Sequence, residues 1–430
     1  MTHRMLLIAV LAVFTVVLPT RAAVLSRWVQ YDADGAVEAR IVTDEAACPP
    51  LLQAGRAIGA HERAPEGGDF PVRLCTARLA GAAGRLAVEG LDLPAVAAAP
   101  RRIVVLGDTG CRVLGRVVQD CRNPAAWPFR RVARQAAARH PDLVLHVGDY
   151  LYREAPCPPG NAGCAGSPSG DNWATWQADF FTPAARLLAA APWVFVRGNH
   201  ETCSRAGLGW TRLLSALPFD PRIPCRANEP PYAVALAALR LLVFDDASAR
   251  DFPADEQALP TYRTDLAALG NLARGSSWLL MHRPLRGVAR FPSGLVVGGN
   301  RTLLQASRAP LPAAVGLLLS GHIHAFEAIN YSAGPPQFVV GNGGDWLNAA
   351  PARLDGLTIG GLTVTQGLSL PGFGFLLLVR EGSVWRAEAY DTDGTMERRC
   401  HLAAARIVCA APGSSPRAPN RAASAPSSMD

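Results

Sequence analysis

Read for the spacing of apolar and polar positions, the chain falls into two regimes. From Val24 to about Ala99, apolar residues come in short runs around Trp28 to Tyr31 and Val72 to Leu79, which predicts a small β-rich accessory domain. Ala97 to Arg101, ending in Pro100, reads as a linker. From Arg102 onward, β-branched apolar runs each end in a cluster of glycine and polar residues and alternate with helical or loop stretches. The predicted strands are Ile103 to Leu106, Leu143 to Val147, Trp193 to Val196, Leu239 to Phe244, Trp278 to Met281 and Val315 to Leu319. Phe338 to Val340, Phe373 to Val379 and Val384 to Tyr390 follow. This alternation predicts an α/β fold rich in parallel strands over residues 100–411. The tail from Pro412 to Asp430 is mostly Ser, Pro and Ala and is expected to be disordered.

Composition narrows the address. Met1 to Ala23 carry Arg4, an apolar run from Met5 to Leu18 and small residues at Ala22 and Ala23, the pattern of a cleaved secretory leader. The run of about 14 residues is shorter than the roughly 20 that a membrane span needs, so no stable anchor is expected after cleavage. Ten cysteines, at 48, 75, 111, 121, 157, 164, 203, 225, 400 and 409, contain no Cys-x-x-Cys and fall into five sequence-adjacent pairs. Export and even parity predict disulfides, and a secreted or periplasmic location. The formal charge of +7 falls to +5 once Arg4 and Arg21 leave with the leader, and it is not gathered into a basic run. Nucleic-acid binding is therefore not indicated. All 42 basic residues are arginine, which excludes lysine Schiff-base chemistry and a P-loop lysine. With the abundant Ala, Pro and Gly, this composition suggests a GC-rich bacterial genome.

The chemistry stands at the strand ends: Gly107-Asp108-Thr109-Gly110, Gly148-Asp149-Tyr150-Leu151-Tyr152, Gly198-Asn199-His200-Glu201, His282, and Gly321-His322-Ile323-His324. Each supplies an oxygen or imidazole donor. Ligands of open α/β sheets gather at the carboxyl ends of strands, so these motifs are expected to converge. Any one of them alone is weak. Five in order, each after an apolar run, predict a metal site.

This ordered set resembles that of the purple acid phosphatases, a branch of the calcineurin-like metallophosphoesterases, over about Arg102 to Tyr390. Most other members of that superfamily open with Asp-x-His; here position 110 is Gly110, and Tyr152 fills the gap. The resemblance implies a two-sheet β-sandwich flanked by helices in αββα layers. It implies a first metal on Asp108, Asp149, Tyr152 and His324, and a second on Asn199, His282, His322 and the shared Asp149. Hard oxygens with a phenolate suit Fe(III) at the first site, and imidazoles with an amide suit Zn, Mn or Fe(II) at the second. It further implies hydrolysis of a small-molecule phosphate ester by a metal-activated hydroxide, with an acid-phosphatase-like monoesterase favoured. His200, beside Asn199, is the candidate for protonating the leaving oxygen.

Supporting roles are open to Glu201, which could orient a histidine or be solvated, to Arg153 and Arg283 as phosphate forks, and to Glu327, which extends the last motif. His146 reads as core by strand alternation, and so do Trp173 and Trp176. Asp245 and Asp345 end other strands and could support the site. The stretch from Arg283 to Gly299 has no histidine where plant-type members have further ones, which leaves substrate contacts open. Gly148-Asp149-Tyr150 with Arg153, and Gly198 to Glu201, also echo protein serine/threonine phosphatases; the missing Asp-x-His and the leader argue against that. A phosphodiesterase uses the same donors. A non-catalytic binding protein on the same scaffold is the alternative from another class. Oligomeric state is not legible.

Overall fold

The computed structural model describes residues 23–79, 84–290, 296–307, 310–349 and 351–410. The predicted leader, apart from Ala23, and the tail lie outside the described residues. Two large sheets stack face to face with helices on their outer sides, the αββα arrangement expected. In order across the sheet, the first consists of Arg406–Cys409, Met396–Ala403, Val384–Asp391, Gly374–Glu381, Arg102–Leu106, Leu143–His146, Trp193–Phe195, Val24–Tyr31, Val37–Thr43, Arg73–Arg78 and His61–Ala64. The second runs Tyr232–Leu236, Leu239–Val243, Ser277–Leu280, Val315–Ser320, Gln337–Val340, Phe326–Tyr331, Leu362–Leu370 and Thr358–Ile359.

The pattern of the sequence explains the layers. Within Arg102–Leu106, Ile103 and Val105 face the space between the sheets, while Val104 and Leu106 pack under the helices Phe129–Ala137 and Thr182–Leu188. In the second sheet Leu241 and Val243 face inward, and Leu242 packs with Leu259, Tyr262 and Leu269 of the helix Leu259–Leu272. Strands covered on both faces must be apolar at every position, which is why they read as unbroken runs. Parallel pairing is confined to the centre of each sheet, through Arg102–Leu106, Leu143–His146, Trp193–Phe195 and Val24–Tyr31 in one and Leu239–Val243 to Gln337–Val340 in the other. The flanks are antiparallel.

The N-terminal region is β-rich and divided. Val24–Tyr31 pairs in parallel with Trp193–Phe195, and three further strands continue the large sheet from it. Four short strands, Leu51–Gln53, Arg56–Ile58, Leu86–Val88 and Leu91–Leu93, form a separate small sheet over a minor core that includes Val29, Ile41, Leu51 and Val88. Four strands of this region thus extend the large sheet, and four form the small one.

All ten cysteines are bridged between sequence neighbours: Cys48 with Cys75, Cys111 with Cys121, Cys157 with Cys164, Cys203 with Cys225 and Cys400 with Cys409. No described helix is long and apolar enough to cross a membrane.

Candidate metal centre

The central parallel strands of both sheets end at one rim. Asp108, Asp149 and Asn199 leave the first sheet there, and His282, His322 and His324 leave the second. Three of these residues bend the chain sharply. Asp108, Asp149 and His322 have φ of 57°, 61° and 67°, a left-handed conformation that costs a side-chain-bearing residue about 1 kcal/mol or more. Each follows a glycine. Gly148, at φ 102°, lies so close to the His282 ring that a side chain there would collide with it, and a Cβ on Gly321 would strike the Asp108 carboxylate.

The donors form two groups that share Asp149. Ligand atoms of Asp108, Asp149 and His324 lie within 4.8 Å of one another, as do those of Asp149, His282 and His322. The Tyr152 hydroxyl completes the first group, 3.1 Å from Asp108 Oδ1, 2.8 Å from Asp149 Oδ2 and 3.0 Å from His324 Nε2. Asn199 Oδ1 completes the second, 2.9 Å from His282 Nε2. All seven proposed ligands are therefore brought together. The groups open into a cavity of about 450 Å³ also lined by His200, Arg112, Arg205, Asp251 and Asn348.

Electrostatics mark this as a place for cations. Burial disfavours charge on His282, yet the Asp149 carboxylate outweighs it and lifts the imidazole to about 10. His324 is lifted to about 9, against burial, by Asp345 and Asp108. Burial and the carboxylates of Asp149 and Asp108 push the Tyr152 phenol well above its ordinary value. A site whose carboxylates hold protons on neighbouring imidazoles has surplus negative charge, and metal cations displace such protons. The donor set thus fits two ions.

Around these donors the polar groups are already committed. Glu201 is buried and accepts backbone N–H bonds from Gly198 and Asp149 at 3.1 Å, Tyr150 at 2.8 Å and Leu151 at 3.2 Å. It clamps two ligand loops together and is neither solvated nor bonded to a histidine, correcting both earlier expectations. Burial, then Asp149, raises its carboxyl to about 8. Arg153 also departs from expectation. Its guanidinium is buried against Asp179 at 2.5 Å and Ser167 Oγ at 2.6 Å, and it is not among the residues that line the cavity. Arg283 is ion-paired with Asp251, so its fork is occupied.

Glu327 contacts no ligand. It lies under the hairpin Val288–Arg290/Val296–Gly298, accepts the Val288 N–H at 3.1 Å, and its Oε1 has no partner among the described residues. Burial lifts its carboxyl from 4.5 to about 8. A raised carboxyl binds a proton in the folded state that the unfolded state has lost. Stability therefore falls as pH rises from about 4.5 to about 8, by at most about 1.4 kcal/mol per unit. Glu327→Gln is expected to flatten that decline in urea titrations and to raise the midpoint at the alkaline end. An unchanged slope would show the carboxyl to be ionised in the fold.

His146 is core as expected, stacked on Tyr150 with centroids 4.1 Å apart and bonded to Thr109 Oγ1 at 3.0 Å. Trp173 and Trp176 are core too. Asp345 supports the site, 3.5 Å from His324 Nδ1 and ion-paired with Arg112; Asp245 instead holds Arg197 at 3.2 Å. Four residues near the ligands were not singled out from sequence: Arg112, Glu154, Arg205 and Asp251. Glu154 and Arg205 bracket His200, with Glu154 Oε1 2.8 Å from His200 Nδ1 and Arg205 Nη2 2.8 and 2.9 Å from its two nitrogens. Proximity to the motifs was the available signal for Arg112, Glu154 and Arg205, two to five residues after a matched position, while Asp251 has no motif near it in sequence.

Residues 101–326, more than half of the chain, match the calcineurin-like phosphoesterase family. The chain belongs to that family. Among solved structures, this calcineurin-like phosphoesterase is similar to the purple acid phosphatase PPD1 from yellow lupin (Lupinus luteus) seeds, at 15% identity and a TM-score of 0.58, covering 89% of this chain and 74% of that one. It is also similar to PhoD, at 10% identity and a TM-score of 0.51, over 90% and 92% of the two chains. At such identities the likeness establishes the fold alone. No curated protein sequence matches significantly.

Proposed function

We propose that this phosphoesterase holds two metal ions and hydrolyses phosphate monoesters in the manner of an acid phosphatase, in the periplasm or outside the cell. The observation that carries the reading is Asp149, buried and shared by two donor groups beneath an open cavity. Asp108, Asp149, Tyr152 and His324 offer the hard donors suited to ferric iron. Asn199, His282, His322 and the same Asp149 suit divalent zinc, manganese or iron. Bound there, the ions would supply a water acidified to near neutral pH and attraction for phosphoryl oxygens. The chain contributes orientation and proton transfer. His200 lines the cavity beside Asn199, where it can protonate the leaving oxygen, and the guanidinium groups of Arg112 and Arg205, paired with Asp345 and Glu154, add positive charge to the cavity wall. The predicted leader and five disulfides support export.

The test is hydrolysis of p-nitrophenyl phosphate and bis-p-nitrophenyl phosphate by protein purified with its metals. Turnover is expected on the monoester, lost on chelation and restored by iron with zinc or manganese. Preference for the bis compound would reassign the enzyme as a diesterase. Absence of turnover on both at every pH, with metals supplied, would overturn the reading in favour of a binding role.

A further inference from the structure

The three histidines of the centre are not held alike. His282 Nδ1 is spent on the Val147 carbonyl at 2.8 Å and His324 Nδ1 on the Trp346 carbonyl at 2.6 Å. Their Nε2 atoms consequently face inward, 3.2 Å from Asp149 Oδ2 and 3.3 Å from Asp108 Oδ1. His322 has the opposite arrangement. Its Nε2 lies 2.8 Å from Asp251 Oδ2, with Arg283 Nη1 3.0 Å away. Arg283 has its own acceptor in Asp251, so the ring nitrogen is not required to accept from it. A nitrogen that donates to a carboxylate is not free to bind a cation. Nδ1 is then the atom that His322 contributes.

We propose that Asp251 is a positioning residue for the second metal: it accepts the Nε2–H of His322 and so fixes the tautomer and ring orientation that turn Nδ1 toward Asp149 and His282. This rests on the two-metal reading above. The turn carrying Asp251 is built to hold it. Asn300 Nδ2 donates to Asp251 Oδ1 at 2.9 Å and to the Ala249 carbonyl at 2.8 Å, while the Arg301 amide donates to the Asp251 carbonyl at 3.1 Å. Asn300 is itself fixed, accepting the Leu303 amide at 2.8 Å as the cap of the helix Arg301–Ala306. One carboxylate oxygen is thereby anchored to the fold and the other is left for His322 and Arg283. A carboxylate partner also makes an imidazole a stronger donor than a carbonyl partner does.

The test is calorimetric titration of metal-stripped protein with Mn²⁺. The wild-type chain is expected to take up two ions in distinguishable steps. Asp251→Ala should weaken one step by about 10- to 100-fold and spare the other, and Asp251→Asn should recover part of that loss, since its amide oxygen still accepts from Nε2–H while its NH₂ meets the Asn300 donor. In zinc-loaded protein, ¹⁵N histidine spectra should show His322 protonated at Nε2. Two unchanged steps in Asp251→Ala, equal weakening of both, or a His322 protonated at Nδ1 would overturn the proposal. Uptake of fewer than two ions by the wild-type chain would instead overturn the two-metal reading, and the proposal with it.

Discussion

Asp149→Asn is expected to lower hydrolysis of p-nitrophenyl phosphate by about a thousandfold or more, because a single substitution disturbs both donor groups, and each metal ion contributes several kcal/mol to such a reaction. The side chain keeps its shape, so the fold should survive. What changes is charge and donor direction. Asp149 Oδ1 accepts the His200 amide at 2.8 Å, and Oδ2 lies 2.8 Å from the Tyr152 hydroxyl and 3.2 Å from His282 Nε2. Burial opposes ionisation of this carboxyl, but the imidazoles of His282 and His200 hold it well below the usual carboxylate range. An amide in the same place turns an N–H₂ toward one of these neighbours and cannot bridge two cations. Elemental analysis should find both ions depleted, whereas His322→Ala should deplete only one. Full metal content with full turnover in Asp149→Asn would refute the shared role.

His200→Ala should act differently. For an alkyl phosphate such as glycerol phosphate, kcat is expected to fall by about 10²- to 10⁴-fold, the usual contribution of a positioned general acid. For p-nitrophenyl phosphate, whose leaving group departs readily as an anion, the loss should be much smaller. His200 is suited to this task by its surroundings. Its ring lies against Tyr152 with centroids 3.6 Å apart, Nδ1 is near the Leu151 carbonyl at 3.2 Å and Glu154 at 2.8 Å, and the Arg205 guanidinium touches both nitrogens. Metal content should be unchanged, since His200 belongs to neither donor group. Equal losses on the two substrates would assign His200 to holding phosphate, and no loss on either would remove it from catalysis.

The two residues also show how far the sequence could be read. Asp149 and His200 were visible because buried parallel strands appear as unbroken apolar runs, and the first polar residues after each run stand at the rim. The layering follows from the same pattern, since Ile103 and Val104 must both be apolar to face the second sheet and the helices. Less could be read where tertiary approach decides the neighbour. Arg112 and Arg205 come from loops, and in a chain whose every basic residue is arginine their presence carries little information. Asp251 stands far from His322 in sequence and meets it because the strands they follow, Leu239–Val243 and Val315–Ser320, flank Ser277–Leu280 in one sheet. Arg153 misled for a related reason. It follows Tyr152, a proposed ligand, directly, but the backbone turns it toward the buried Asp179. Glu201 was noticed without its function, because pairing of a carboxylate with four backbone amides leaves no mark in residue type. Nothing in Val24–Tyr31 reveals that its partner is Trp193–Phe195.

The bridges between neighbouring cysteines bear on how such a chain comes to be made. Their separations are 27, 10, 7, 22 and 9 residues, so both members of each pair are present soon after the first has been made. Closing short loops brings less stability than closing long ones. What the short loops offer instead is a simple assembly order, in which pairing in order of emergence gives the native connectivity with no later exchange, before the two distant halves of the metal centre have met.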